Sequence, residues 1–283
     1  MTRTQFSLLG VAAAAAISAL PAAAQSEAKP WQGGHLGYSF GVGLQSGDND
    51  EDVQFDTNLD NVYGDTVRTA AGANAFAPGF CGGAANGRTP GEGCRGDRDR
   101  PDFFIRGGYD IQNGNLVYGV VVDAGTGNST DSVTAFSVTP AFYTFTRKLD
   151  FAAGLRGRVG YATGGVLAYA TGGLAYGRIE NSQLTSNGAN TFNGNVFFDR
   201  QKTSSWGYSA GAGVETKVEK NISVGLEYLY TSYRGDDYVV RVGPGTAPAT
   251  NPFRIVNPNG TNMRRGDRNF DLHNIRLTAS YRF

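Results

Sequence analysis

The chain shows no surplus of charge of either sign. Across 283 residues, 25 Lys+Arg stand against 25 Asp+Glu. That balance excludes a polybasic nucleic-acid binder and an acidic tail protein. Charge is also scarce, at 18% of residues against a typical ~25%. Only two cysteines, two histidines and two tryptophans occur. Beyond residue 24 no segment reaches the ~18 consecutive apolar residues of a spanning helix. A helical membrane protein is therefore excluded, whereas a membrane β-barrel is not. No Gly-X-Y period is present, which excludes collagen. No phosphate loop or dinucleotide fingerprint exists either, since Gly211-Ala212-Gly213 lacks the third glycine.

Glycine and aromatics are abundant. There are 41 glycines, 17 Phe and 14 Tyr, and the glycine content is roughly twice the usual ~7%. Mean hydropathy is nevertheless −0.31. This combination points to many short strands and tight turns in one β-domain. Residues 1–24 read as a secretory signal peptide. Arg3 is the only charge, Leu8 to Leu20 form an Ala-rich apolar run, and Ala22-Ala23-Ala24 offers a small-residue cleavage site. The apolar run is too short to span a ~30 Å hydrocarbon core.

Period-two alternation dominates the remaining residues, 25–283. Eight segments can be phased with one uncharged, largely apolar face: Leu36–Leu44, Phe103–Ile111, Leu116–Ala124, Phe151–Tyr161, Val166–Tyr176, Trp206–Val214, Ile222–Tyr230 and Ile275–Phe283. The opposite face carries Arg106, Asp110, Asp123, Arg156, Arg158, Glu215, Glu227, Arg276 and Arg282. A soluble lipocalin-like barrel would turn the apolar face inward. Nine charges would then be its only solubilising strand groups. A membrane barrel turns that face outward and encloses the charges. The expected fold is all-β: an eight-stranded antiparallel up-and-down transmembrane barrel.

The connections alternate in length. Short turns fall at 113–115, 162–165 and 217–221, and long loops at 45–101, 127–148, 179–204 and 234–270. This is the asymmetry of outer-membrane barrels, with short periplasmic turns and long external loops. Residues 133–146 also alternate, but Pro140 interrupts them and cannot donate to a ladder. They read as a hairpin extending strands three and four above the membrane. A ten-strand barrel, with another strand within 53–68, is the alternative.

Three motifs carry a family resemblance: Arg156-Gly157-Arg158-Val159-Gly160-Tyr161, Gly172-Gly173-Leu174-Ala175-Tyr176-Gly177 and the final Tyr281-Arg282-Phe283. With them, the chain resembles the small eight-stranded outer-membrane barrels of the opacity-like, immunogenic-protein group, often labelled porin family. The resemblance covers most of 31–44 and 102–283, while the first long loop, 45–101, departs from the compact members. It implies a surface antigen in the Gram-negative outer membrane. Tyr281 and Phe283 resemble the signal read by the barrel assembly machinery. Outer-membrane lipids including lipopolysaccharide, and host or envelope ligands held by the loops, are the expected partners of a monomer.

Catalysis would need a base beside a nucleophile. Only His35 and His273 are available, and both read as rim residues outside a His-x-Ser pattern. Asp48, Asp50 and Asp52 open like a calcium loop, but Val53 and Leu59 occupy its Gly and Glu positions. A solvated acidic loop is expected there. No catalytic, cofactor or metal site is assigned. Cys81 and Cys94 should pair in an oxidising envelope.

Eight strands enclose space that side chains can fill. Arg106, Asp123, Arg156, Arg158, Glu227 and Arg276 are expected as a paired interior network, with Glu227 against Arg276. The sequence thus points to a non-enzymatic structural and surface-interaction barrel. A narrow pore for ions or small solutes is the alternative. Loop 234–270 carries net positive charge and loop 45–101 net negative charge, so the two are expected to meet across the rim, with two independent solvated loops as the alternative. Arg264 and Arg265 could instead hold lipopolysaccharide phosphates.

Overall fold

The computed structural model describes residues 29–45, 51–97, 101–192, 199–235 and 238–283. The expected leader at residues 1–24 lies outside them. Eight strands form the barrel wall: β1 Gly33–Gln45, β2 Pro101–Asn113, β3 Leu116–Thr126, β4 Ala141–Thr163, β5 Val166–Thr185, β6 Asp199–Lys217, β7 Ile222–Tyr233 and β8 Phe270–Arg282. Each pairs antiparallel with its sequence neighbours. The ring closes where β1 meets β8, with Tyr38 opposite Ala279 and Phe40 opposite Leu277. The short turns need backbone that few residues adopt cheaply. Gly114 and Gly164 supply it at φ 59° and 56°.

The pleat sorts each strand into two faces. Outward residues such as Leu36, Ile105, Val120, Leu155, Leu174, Leu226 and Leu277 are more than half exposed. Aromatics bracket this apolar band. Tyr109, Tyr118, Tyr161, Tyr281 and Phe283 stand toward the short-turn end, and Phe103, Phe151, Trp206, Tyr208 and Tyr230 toward the long-loop end. Apolar side chains exposed all round a closed barrel, between two aromatic girdles, are the surface lipid requires.

Two strands run past the band. β4 has 23 residues and β5 has 20, against the ~10 needed to cross. The 179–204 connection is therefore shorter than its sequence suggests, because β5 continues to Thr185 and β6 resumes at Asp199. The 133–146 segment forms the expected hairpin. Thr130–Ser137 pairs with Ala141–Lys148 above the band, and Gly79–Gly82 joins its free edge. Residues 53–56 do form a strand, but outside the barrel, so the wall has eight strands.

That outer strand belongs to a four-stranded sheet built from loops. Its order is Thr191–Phe192, Val240–Gly243, Thr261–Arg265 and Val53–Asp56. The first and last long loops therefore meet through backbone pairing, with Met263 opposite Phe55. Beneath the sheet lies a second hydrophobic core to which all four loops contribute, including Phe55, Phe76, Val133, Tyr143, Phe145, Phe192, Val240, Phe253 and Met263. Phe76 packs 4.4 Å from Phe55 and 5.4 Å from Tyr143, centroid to centroid. The loops thus form a packed cap with a core of its own.

Candidate functional site: the lumen and its seals

All nine charges expected on the inward face are buried in the lumen. They form two tiers between apolar plugs. At the short-turn mouth Trp31 is fully buried, ahead of β1. Its backbone N–H donates to Gln112 Oε1 at 2.9 Å, and its carbonyl accepts from Arg282. The Arg282 guanidinium lies 5.3 Å from the indole ring and the Lys217 ammonium 5.6 Å. Val117, Ala162, Leu167 and Tyr169 complete this plug.

The lower ionic tier centres on Asp110. It accepts from both Nε and Nη2 of Arg158, and Arg282 Nη1 reaches it at 2.7 Å. Arg158 Nη1 also donates to Glu215 at 2.9 Å. In the upper tier Arg156 bonds Asp123 and lies 3.2 Å from Glu227. Tyr169 donates its hydroxyl to Glu227 at 2.9 Å, and Arg106 approaches Glu227 at 3.6 Å and Glu215 at 3.9 Å. Arg276 pairs with Asp123 at 3.5 Å and lies 3.9 Å over the Phe104 ring. The inward glycines make room for these long side chains. A Cβ at Gly41 would sit 2.7 Å from Arg276 Cγ.

The expected Glu227–Arg276 pair needs correcting. The two are opposite in register across β7 and β8, but their ion pairs run elsewhere, to Arg156 and Asp123. Most of these pairs join strands two or three apart around the wall, such as Arg158 with Asp110 and Glu215 and Glu227 with Arg156, while Arg156 also meets Asp123 on the neighbouring strand. His35 also departs from expectation. It is a buried lumen residue with Nδ1 3.4 Å from Asp110, and its ring nitrogens make no hydrogen bond. His273 does lie on the outer rim, 2.6 Å from the Tyr228 hydroxyl.

Above the ions, Phe104, Leu149, Ile179, Tyr233, Phe270 and Leu272 form an apolar layer. A salt-bridge latch then ties the cap to the wall. Arg147 of β4 bonds Asp131 and reaches Asp267 at 3.1 Å. Arg265 reaches Asp131 at 2.8 Å and also pairs with Glu51. Burial alone would raise the Asp131 carboxyl, but Arg147 and Arg265 outweigh it and hold it below the usual carboxylate range. Arg264 stacks 3.7 Å over Tyr63 and reaches Gln54. Arg264 and Arg265 thus serve loop docking.

Cys81 and Cys94 are joined by a disulfide, with Cα atoms 6.4 Å apart. It ties the Gly79–Gly82 edge strand to the small Ala84–Ala85/Cys94–Arg95 hairpin. Tyr281 and Phe283 point outward at the short-turn end. Asp48 and Asp50 lie outside the described residues. Among those described, no group of three His, Cys, Asp or Glu could hold a metal ion.

Residues that sequence reading passed over include Trp31 and Tyr169. Tyr169 was legible in principle, because the phase of Val166–Tyr176 turns it inward. Trp31 precedes the first alternating segment, and no periodicity signals where it goes.

A family profile described as outer membrane protein beta-barrel domain matches residues 9–283. A 22 kDa outer membrane protein of Rhizobium leguminosarum bv. viciae is 40% identical over 131 residues, covering 46% of this chain and 52% of that protein. The chain thus spans about half the length of that relative. A 31 kDa outer-membrane immunogenic protein of Brucella melitensis is 27% identical over 220 residues, covering 75% of each chain. Among solved structures, the outer membrane protein OprG from Pseudomonas aeruginosa aligns with 89% of this chain and 96% of its own, at TM-score 0.46 and 11% identity.

Proposed function

The chain belongs to the outer membrane protein β-barrel family, and from that premise we propose that it is a sealed, non-enzymatic barrel that presents a rigid cap at the cell surface. Its role in this reading is envelope integrity together with contact between the cap and host or envelope partners. The observation that carries the reading is the stacking along the barrel axis. A Trp31 plug, two ionic tiers, an apolar layer and a cap with its own core succeed one another. Such a lumen suits an anchor more than a conduit.

Buried ion pairs contribute little net stability compared with apolar packing. What they supply here is a filled polar interior that leaves the apolar face for lipid. The rigid barrel then holds loop residues in fixed relative positions, as recognition surfaces require.

Epitope insertion tests the presentation of the cap. A peptide tag placed at Val62, which is 66% exposed, should bind antibody on intact cells. The same tag at Gly114 should bind only after the outer membrane is permeabilised. Labelling of the Gly114 tag on intact cells would overturn the orientation and the surface role together.

A further inference from the structure

Just above the outer aromatic girdle, one side of the wall changes character. Tyr176 of β5 lies opposite Trp206 of β6, and their rings pack 5.2 Å apart. Phe151 of β4 packs 6.4 Å from Tyr176. The next outward residue along β5 is Arg178, opposite Phe151 on β4 and Ser204 on β6. The next outward row is Lys148, Glu180 and Lys202, contributed by β4, β5 and β6 in register. Two residues of strand rise about 6.6 Å, so the guanidinium and the two ammonium groups occupy the layer immediately outside the hydrocarbon band.

The charges in this patch are unequal. Asp150, in a register irregularity of β4, faces Lys148 at 3.4 Å and Lys202 at 3.2 Å. Glu180 lies 3.6 Å from Lys202. Among the described side chains of this patch, three cations therefore stand against two carboxylates. Arg178 is exposed and has no ion-pair partner among the described residues. By contrast Arg264 and Arg265, the arginines most conspicuous in the sequence, are engaged in the cap.

We propose that Lys148, Arg178 and Lys202 form a docking site for the phosphate groups of an outer-leaflet lipid, whose acyl chains lie against Phe151, Tyr176 and Trp206. The proposal rests on the outer-membrane orientation argued above. That orientation also identifies the occupant. The patch continues a lipid-facing wall upward by one or two rows, so what covers it is the headgroup layer of the leaflet itself. Arg178 offers a planar fork that matches phosphate oxygens, and the two lysines offer movable point charges. The aromatic row beneath supplies the amphipathic shelf on which such lipids sit. A lipid bearing two phosphates can engage Arg178 and the lysine row together.

The test uses the full chain in phosphatidylcholine nanodiscs doped with a bisphosphorylated glycolipid, diphosphoryl lipid A. Retained glycolipid is counted by native mass spectrometry. The comparison is between the parent, Lys148→Gln/Arg178→Gln/Lys202→Gln and the cap variant Arg264→Gln. Loss of three cations from an anionic lipid contact should lower retention on the order of tenfold or more in the triple variant. Arg264→Gln should match the parent. The phosphate-free glycolipid should be held no better by the parent than by the triple variant. Equal retention of the bisphosphorylated lipid by parent and triple variant would overturn the site, as would a parent that holds both lipids alike. Heat-modifiable gel migration shows that each variant is folded. Cell fractionation of the parent checks the orientation separately, since its absence from the outer membrane would remove the premise whatever the lipid count.

Discussion

Replacing Glu227 by alanine should destabilise the barrel more than any single change on its lipid face. Glu227 is 1% exposed and accepts the Tyr169 hydroxyl at 2.9 Å. It lies 3.2 Å from Arg156 and 3.6 Å from Arg106. At an effective dielectric of about 20, a pair at 3.2 Å attracts by roughly 5 kcal/mol, most of which offsets the desolvation of the two ions. Removal of the carboxylate leaves that desolvation uncompensated. Arg106 would keep only Glu215 at 3.9 Å, and Arg156 would keep Asp123. The expected loss is on the order of 3–5 kcal/mol. Urea unfolding in lipid vesicles, followed by fluorescence and gel migration, measures it. Double-mutant cycles then locate the partner. Coupling of Glu227→Ala with Arg156→Ala should exceed its coupling with Arg276→Ala. Strict additivity with Arg156 alongside strong coupling to Arg276 would refute the cross-lumen assignment.

The latch makes a pH prediction. The Asp131 carboxyl is depressed in the folded state, so its contribution is present above the ordinary carboxylate range and is lost as pH falls through the lowered value. Proteolysis of 51–97 should therefore stay slow from neutral pH down to about pH 4 and accelerate only below that, whereas Asp131→Asn should expose the cap at pH 7. Opening of the parent cap between pH 6 and 5 would contradict the latch. Reduction of Cys81–Cys94 should loosen the cap locally by on the order of 3 kcal/mol, the chain-entropy value for a loop of this size, and leave the heat-modifiable shift of the barrel intact. Its abolition on reduction would tie the disulfide to the wall. The two tryptophans give an optical test. Trp206, 64% exposed on the outer face, should be quenched by brominated acyl chains, and buried Trp31 should not; equal quenching in single-tryptophan variants would sink the assignment of the two faces.

The wall was legible because each strand carries its own code. Alternation along Phe103–Ile111 or Ile275–Phe283 states both faces locally, and the nine inward charges followed from the phase alone. The partners within the lumen were not legible. Register names neighbours across adjacent strands, as for Glu227 and Arg276, while long side chains on a closed wall meet across the axis, as Arg158 meets Glu215. The cap was half legible. Opposite loop charges implied contact between 45–101 and 234–270, but the pairing of Val53–Asp56 with Thr261–Arg265 and the core built from four loops depend on contacts some 200 residues apart in sequence. Short loop strands have no periodicity long enough to announce them. Trp31 shows the same limit, because its burial depends on barrel closure rather than on its neighbours.

Planar-bilayer recording on the purified, folded parent protein tests the sealed-anchor account most directly. The Trp31 plug, the filled ionic tiers and the cap predict a quiet membrane, with no stable unitary steps in concentrated salt. Reproducible discrete conductance from the parent, absent from heat-unfolded controls, would contradict the account and restore the pore reading.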